Sequence, residues 1–361
     1  MTATGTQVPA LILGGSGYVA GELLRLLAAH PALKPAAILS ESQAGQAVES
    51  VFPHLAGCFP DLAFSDRAGL SRALEELAPG PVALFSAAPH GAAAALVDAL
   101  LAEAAEAGVE VRAVDLSADF RFPEAAAYEA VYGHPHGAPE RLSSFACAVP
   151  EHLAETPAGP VQHIGHPGCF TTTVLMGAVP LLARGLIEPR ITVVATTGST
   201  GAGRTPTPAT HHPARRSNLY AYNPLRHRHE PEMRALAEAA SGQAAEIHFV
   251  PQSGPFARGI YATLQARLVQ PLSGAEVAAV LADFYQGSPF VDVLPEPPKL
   301  QDVVGTNRCR LSAAVDGDHL VVFSTLDNLV KGAAGGGIQW MNRLLGFPQQ
   351  TGLTQPGPGW L

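Results

Sequence analysis

Short apolar runs alternate with stretches of helical spacing through the first half of the chain. Val8-Pro-Ala-Leu-Ile-Leu13 leads into Glu22-Leu-Leu-Arg-Leu-Leu27, whose apolar residues recur at helical intervals. Pro35-Ala-Ala-Ile-Leu39, Pro81-Val-Ala-Leu-Phe-Ser86 and Val109-Glu-Val-Arg-Ala-Val114 are further strands, and the alanine-rich segment from Ala87 to Ala107 reads as a helix. Strands and helices in alternation predict an α/β fold with a Rossmann-type doubly wound parallel sheet. Later the pattern changes: Ile191-Thr-Val-Val-Ala-Thr-Thr197 has β-branched strand character, and Glu246-Ile-His-Phe-Val250 and the run from Gly259 to Val269 alternate. With Leu320 to Leu326 as a last strand, these predict an α+β domain on a mixed sheet. The expected boundaries are 1–165, completed by 327–361, for a dinucleotide-binding domain, and 166–326 for a catalytic and dimerisation domain.

The first strand ends in Gly14-Gly-Ser-Gly-Tyr-Val-Ala-Gly21 and a helix follows. Glycines in that context let the backbone turn sharply and approach a pyrophosphate resting on the helix N-terminus. Two registers fit, Gly15-x-Gly17-x-x-Ala20 and Gly14-x-x-Gly17-x-x-Ala20, so Gly14, Gly15, Ser16, Gly17, Tyr18 and Val19 are the expected cofactor contacts. Ser40 and Glu41 fall where a strand end meets the adenosine ribose, and Ser86 and Pro89 lead from the next strand into the same crevice. His90 either faces a ligand there or is a turn residue. Within Asp115-Leu-Ser-Ala-Asp-Phe-Arg121 the two carboxylates could form an acid/base pair, but Ser117 and Asp119 read rather as helix caps and turn formers.

Cys169 leaves a strand through Pro167-Gly168 and enters an apolar helix. A cysteine in a first helical turn faces unpaired N–H groups and the positive end of the dipole, which favour thiolate. Cys58, Cys147 and Cys309 lack that setting. Gly198-Ser-Thr-Gly-Ala-Gly-Arg204 is either a cradle of amides for an anion or a glycine-rich active-site or subunit-contact loop. His211, His212, His227 and His229 are candidate proton carriers for the sulfur. No carboxylate or cysteine stands near them at ligand spacing, so no metal is expected. Arg258, in the loop Pro251 to Arg258, suits a substrate carboxylate. Lysine occurs only at 34, 299 and 331, which draws attention to Lys331 without assigning it a role.

Composition narrows the picture. The 361 residues, 47% of them hydrophobic, suit two globular domains, and a net charge of −9 argues against nucleic acid as partner. Four widely spaced cysteines fit a reducing cytoplasm. Met1-Thr-Ala-Thr-Gly-Thr-Gln7 has no basic region, so no secretory leader is expected, and Asp98, Glu103 and Glu106 exclude a membrane span in the alanine-rich helix.

Pro89-His-Gly91, Asp115 to Arg121, Val149-Pro-Glu151, Pro167-Gly-Cys169, His227-Arg-His-Glu-Pro-Glu232, Arg258-Gly259, Gly305-Thr-Asn307 and Asp327-Asn-Leu-Val-Lys-Gly-Ala-Ala-Gly335 occur in succession. On these motifs nearly the whole chain resembles the N-acetyl-γ-glutamyl-phosphate reductases, the arginine-pathway branch of the aspartate-semialdehyde-dehydrogenase group. The resemblance implies Cys169 as nucleophile, His229 or His227 as acid/base, and Arg258 near the substrate. Asn328 and Gly201 would join the glycine loop around a nicotinamide dinucleotide, while Arg121, Ser199 and Gly203 would complete the substrate contacts. It implies NADPH-dependent reduction of an acyl-phosphate, N-acetyl-L-glutamyl 5-phosphate, to the semialdehyde through a cysteine thioester, in a cytoplasmic homodimer or homotetramer. Two departures stand out. Ser40-Glu41-Ser42 replaces the Ser-Arg of similar proteins, and an acid there suits the free ribose hydroxyl of NAD rather than the phosphate of NADP. His211-His-Pro213 and Tyr220-Ala-Tyr-Asn-Pro224 also resemble the relative that reduces a carrier-protein-bound aminoadipate 6-phosphate in lysine synthesis, the alternative substrate.

Overall fold

The computed structural model describes residues 7–359, so the N-terminal reading of residues 1–6 lies outside it. The chain falls into two compact units. One comprises Met1–Cys147, Glu155–His166 and Gly337–Thr354; the other comprises Ala148–Ala154, Pro167–Gly336 and Gln355–Leu361.

The first unit is built on seven strands, β1 (Val8–Leu13), β2 (Leu33–Leu39), β3 (Phe64–Ser65), β4 (Pro81–Ser86), β5 (Glu110–Asp115), β6 (Phe145–Cys147) and β7 (His163–Gly165). Their order is β3-β2-β1-β4-β5-β7-β6 and every pairing is parallel. Ala10–Leu13 and Val82–Ser86 are buried throughout, as strands covered on both faces must be. The chain runs from β1 outward to β3 and then returns to β4 on the other side of β1. This reversal opens a crevice beyond the carboxyl ends of β1 and β4, the place where such sheets bind ligands. Asp115 ends β5 and Asp119 lies in the loop after it, and the latter caps a helix in keeping with the sequence reading. Asp119 caps the Ala93–Glu106 helix from a distance, accepting from the amides of Gly91 (2.8 Å) and Ala94 (2.9 Å) and from the Tyr128 hydroxyl (3.0 Å). Asp115 takes the Ser117 hydroxyl at 2.6 Å, and burial pushes its carboxyl up to about 6. The chain re-enters this unit at Gly337, where a Cβ would come within 2.7 Å of Leu116, and Asn342 hydrogen-bonds the His30 ring at 3.0 Å. Close packing is thus why that helix carries glycines despite their cost.

The second unit holds a mixed sheet of β8 (Arg190–Thr197), β9 (Tyr220–Ala221), β10 (Glu246–Ser253), β11 (Ile260–Arg267), β12 (Val291–Val293), β13 (Cys309–Asp316) and β14 (His319–Leu326), ordered β12-β13-β14-β11-β8-β10-β9. Pro251–Ser253, read from the sequence as loop, extend β10 instead; the parallel ladder to β8 runs through them to Ser253. One sheet face is packed by the Cys169–Ala183 helix, whose residues Phe170–Leu182 are all buried. Gly177 lets it lie close, since a Cβ there would stand 3.1 Å from Val322 and 3.3 Å from Leu264. Pro180 inside this helix lacks the N–H that would reach Met176, and the Tyr285 hydroxyl fills the gap by donating to the Met176 carbonyl at 2.7 Å. His152 pairs with the same hydroxyl at 2.9 Å.

Burial pushes three histidines, His152, His163 and His227, down to about 4. Below the unfolded value near 6.5 the unfolded chain takes up protons that the folded chain refuses, so their contribution to stability is present above pH 6.5 and is lost as pH falls toward 4. Asp115, raised to about 6, acts in the opposite sense between pH 6 and its unfolded value of 3.8; three groups outweigh one. The urea midpoint is therefore expected to drop between pH 6.5 and 4.5, and His163→Gln is expected to flatten that slope. A midpoint that holds steady or climbs across this window overturns the assignment of neutral buried imidazoles.

Candidate active site

Cys169 is the first residue of its helix, with Gly168 in extended conformation at the N-cap, no side chain capping the first turn and no acid within it. Its side chain is partly exposed. The sulfur thus sits where helix amides and dipole favour negative charge. Cys309 is the opposite case: burial pushes its thiol up to about 12, which removes it as a nucleophile.

The Gly168 amide donates to Glu232 at 2.6 Å, and Glu232 is wholly buried in the first turn of the His229–Ser241 helix. This bond between residues 64 apart sets the starts of two helices side by side. His229, first in its helix, lies with its ring 6.1 Å from Phe170, the neighbour of Cys169. The His227 ring is 4.7 Å from His229, 5.6 Å from Phe170 and 5.7 Å from Tyr222. Its Nδ1 accepts the backbone N–H of His229 at 3.2 Å, which places the proton of the neutral ring on Nε2. Burial first, and then the Arg228 charge, hold His227 at about 4, so it is neutral near pH 7. Burial and the adjacent Cys169 push the Tyr222 hydroxyl above its ordinary range. Of the four candidate histidines, the structure brings His227 and His229 to this cluster, whereas His211 and His212 are exposed around a short helical turn.

Behind the cysteine runs the turn that follows β14. Asp327, wholly buried, accepts from the Leu329 amide (2.8 Å), the Gly305 amide (2.7 Å) and Arg258 Nε (3.0 Å). Asn328 accepts the Gly259 amide at 2.7 Å and donates to the Thr200 hydroxyl at 3.0 Å. The chain then widens into a π turn over Val330–Ala334, a rare geometry often found at functional sites. Within it, a Cβ at Gly332 would stand 2.7 Å from Cys169 Cβ, so only bare backbone fits.

In the loop after β8 the backbone amides turn to the neighbouring loop. The amides of Gly198, Ser199 and Thr200 donate to the carbonyls of Gly259, Phe256 and Ala257 at 2.9, 2.9 and 3.1 Å, and those of Gly201 and Gly203 donate within the loop. These five amides have protein acceptors, which favours a glycine-rich loop packed on residues 256–259 over a cradle built from those amides. Ser199 is half-buried, and Gly201 and Gly203 are exposed.

In the first unit, Gly14 has φ +74° and a Cβ on it would lie 2.5 Å from the backbone of Ala87 and Ala88; one on Gly15 would lie 2.2 Å from Ile38. These two glycines serve close approach. Gly17, by contrast, has nothing within 4 Å of where a Cβ would be, and it caps the Tyr18–Ala28 helix with no side chain and no first-turn acid. That open, uncapped start beside Ser16, Tyr18 and Val19 fits a pyrophosphate. Glu41, exposed past the end of β2, accepts the Arg67 amide at 3.0 Å, while the Arg67 guanidinium is directed to Ser71 and Glu103. Ser40 and Ser86 are buried, Ser86 completely, whereas Pro89 and His90 are exposed, the latter with its ring 5.7 Å from Tyr132. Arg121 is buried and donates from Nε to the His166 carbonyl at 3.1 Å.

Sequence reasoning passed over Glu232, Tyr222 and the hub role of Asp327. Glu232 reaches Gly168 across 64 residues and Asp327 reaches Arg258 across 69, so no local spacing signals these two.

Comparison with known proteins follows the division into two units. The family description "Semialdehyde dehydrogenase, NAD binding domain" matches residues 9–145, and "Semialdehyde dehydrogenase, dimerisation domain" matches residues 169–328. The chain is 40% identical to the N-acetyl-gamma-glutamyl-phosphate reductase of Acidithiobacillus ferrooxidans over 97% of its own length and 98% of that protein's. It is 40% identical to the reductase of the same name from Ectopseudomonas mendocina (95% and 97%) and 38% identical to that of Methanopyrus kandleri (96% and 98%). These names match the first of the two expected substrates and lend nothing to the carrier-bound one. The fold is also that of aspartate semialdehyde dehydrogenase II from Vibrio cholerae, with a TM-score of 0.67 at 16% identity over 94% of this chain and 99% of that one. The Candida albicans aspartate semialdehyde dehydrogenase with NADP gives 0.62 at 16% identity, covering 94% and 99%.

Proposed function

Because the chain belongs to the N-acetyl-γ-glutamyl-phosphate reductases, a branch of the semialdehyde dehydrogenases, we propose that it reduces N-acetyl-L-glutamyl 5-phosphate to N-acetyl-L-glutamate 5-semialdehyde, releasing phosphate. The observation that carries the residue assignment is Cys169 at an uncapped helix start, flanked by Phe170, whose ring packs against the His227–His229 pair. The Cys169 thiolate attacks the acyl carbon; the carbon–oxygen bond to phosphate breaks and phosphate leaves with the electron pair, so a thioester forms. When bound, the reduced nicotinamide supplies the hydride that takes this thioester to the aldehyde level. His229 gives a proton to the alkoxide oxygen left after hydride addition, forming the thiohemiacetal, and takes it back as the carbon–sulfur bond breaks to release aldehyde and thiolate, a role contributing about 10²- to 10⁴-fold. His227 spends its Nδ1 on the His229 amide and orients it. Arg258, held by Asp327, takes the substrate carboxylate in this proposal, with Arg121, Ser199 and Gly203 as further substrate contacts; Asn328 and Gly201, together with residues 14–19, are the cofactor contacts. Metal does not enter the scheme, and a cytoplasmic location suits the cysteine usage.

Cys169→Ser is expected to keep cofactor binding and lose nearly all turnover, and His229→Asn to cost about 10²-fold or more in kcat with a smaller loss in His227→Asn. Full activity in the serine variant removes the nucleophile, and equal mild losses in the two histidine variants put the proton carrier elsewhere.

The family implies NADP, and Glu41 works against its 2′-phosphate, so NADH is accepted alongside NADPH. Replacing a repelling acid by a guanidinium adds a charged hydrogen bond of about 1.5–3 kcal/mol. Glu41→Arg should therefore raise the kcat/KM preference for NADPH over NADH at least about tenfold, with a matching gain in NADP binding by calorimetry. An unchanged ratio shows that Glu41 does not read the ribose.

The second sheet offers a surface for a homo-oligomer. Val250, Val194, Thr263 and Phe323 align in register across β10, β8, β11 and β14 and are only half-buried. A second copy covering this row accounts for an apolar stripe on the sheet's open face. Light scattering should give a dimer or tetramer, and Val194→Asp with Val250→Asp should halve the mass or more; an unaltered mass places the contact elsewhere.

A further inference from the structure

Lys331, singled out by its rarity and not used by the chemistry, forms a salt bridge with Glu151 at 2.6 Å, both side chains having 0% exposure. Such a pair is weak evidence for stability, because the cost of desolvating both charges rivals their attraction. Its location says more. Lys331 is the second residue of the π turn, and the next residue is Gly332, whose backbone lies against Cys169. On the other side, Gly332 donates its amide to the Asp327 carbonyl at 3.0 Å. The wall beside the nucleophile is therefore pinned at Asp327 and at Lys331.

Glu151 lies in the short 3-10 turn Pro150–His152. Its neighbour His152, held neutral by burial, meets the Tyr285 hydroxyl at 2.9 Å. That hydroxyl gives its proton to the Met176 carbonyl, so His152 Nε2–H donates to the Tyr285 oxygen. Because Met176 belongs to the Cys169 helix, the Pro150–His152 turn grips both the helix that carries the sulfur and the turn that walls it. The Lys331 ammonium lies 5.7 Å from the centre of the Phe290 ring, so its surroundings are otherwise partly aromatic.

We propose that the buried Lys331–Glu151 pair is a positioning element for the reductase reaction: it fixes the Gly332 backbone relative to the Cys169 helix and thereby sets the direction of the Cys169 sulfur. Neither residue touches substrate in this account. The proposal rests on the reading of Cys169 as nucleophile.

The test is the full-length Glu151→Leu/Lys331→Met double variant, which removes both charges and leaves none buried alone. Three quantities are compared with wild type: thermal unfolding, kcat with KM for the acyl phosphate, and the pH midpoint of Cys169 alkylation by iodoacetamide, followed on the Cys169 peptide by mass spectrometry. Tyr222, whose hydroxyl feels Cys169, and His227, His229 and Glu232, which contact its neighbours Phe170 and Gly168, are unaltered. The expected result is cooperative unfolding, kcat down about tenfold or more with KM within about threefold, as misplacement of a reacting group predicts, and an alkylation midpoint moved upward. A folded double variant with wild-type kcat and midpoint overturns the proposal, as does a lower unfolding temperature with both unchanged, which marks a purely structural pair. If the apolar pair does not fold, Glu151→Asp keeps both charges with a shorter reach, and an unmoved midpoint and kcat in it overturn the proposal equally. Failure of the nucleophile reading is seen separately, as turnover retained in Cys169→Ser.

Discussion

A length of backbone without a side chain, at Gly332, passes so near Cys169 that any Cβ there would stand 2.7 Å from the cysteine's own. That contact fixes one side of the sulfur's surroundings, and the features of the catalytic unit follow from keeping it. Asp327 holds the start of the turn and Arg258 with it, Asn328 ties in the loops at 200 and 259, and Lys331 is driven inward to Glu151. A regular α-helix beginning at 330 would not give this path; the π turn supplies the extra width. A group meant to attack a carbonyl carbon gains most of its advantage from being held in one direction, and this turn is a means of holding it.

The helix that bears the cysteine shows the same economy. Buried from Phe170 to Leu182, it cannot leave backbone groups unpaired, yet Pro180 removes one donor. Tyr285 restores the bond to Met176 from another element, and His152 completes the chain of contacts. At its N-terminus the first-turn amides lack a side-chain cap, which is where the sulfur needs them. Glu232 takes the Gly168 amide just outside, so the turn into the helix is fixed without placing a carboxylate inside the first turn.

The dinucleotide-binding unit works by close approach as well. Gly14 and Gly15 let the loop after β1 press on Ala87, Ala88 and Ile38, and Gly17 is left with open space at a helix start. The two registers that fit the motif therefore describe different jobs for different glycines: the first two pack, and the third is left in open space. Glu41, bonded to the Arg67 amide, puts an acid near the place where a ribose would sit, so charge and family expectation pull in different directions there.

What the residues determined alone is what local physics controls. The strand, glycine turn and helix at 8–28, the run of parallel strands, the mixed second sheet and the placement of Cys169 at a helix start all follow from apolar period, turn residues and backbone freedom over a few positions. Tertiary structure decided whatever depends on partners far along the chain. Asp119 became a cap for a helix starting at Ala93, the loop at 198–203 turned its amides to the carbonyls at 256–259, Glu232 reached Gly168, and Lys331 found Glu151 180 residues away. Hydrogen bonds and ion pairs between distant residues leave no period in the sequence. Only folding, by burying these groups where each must find a partner, selected which of the many possible pairings exist.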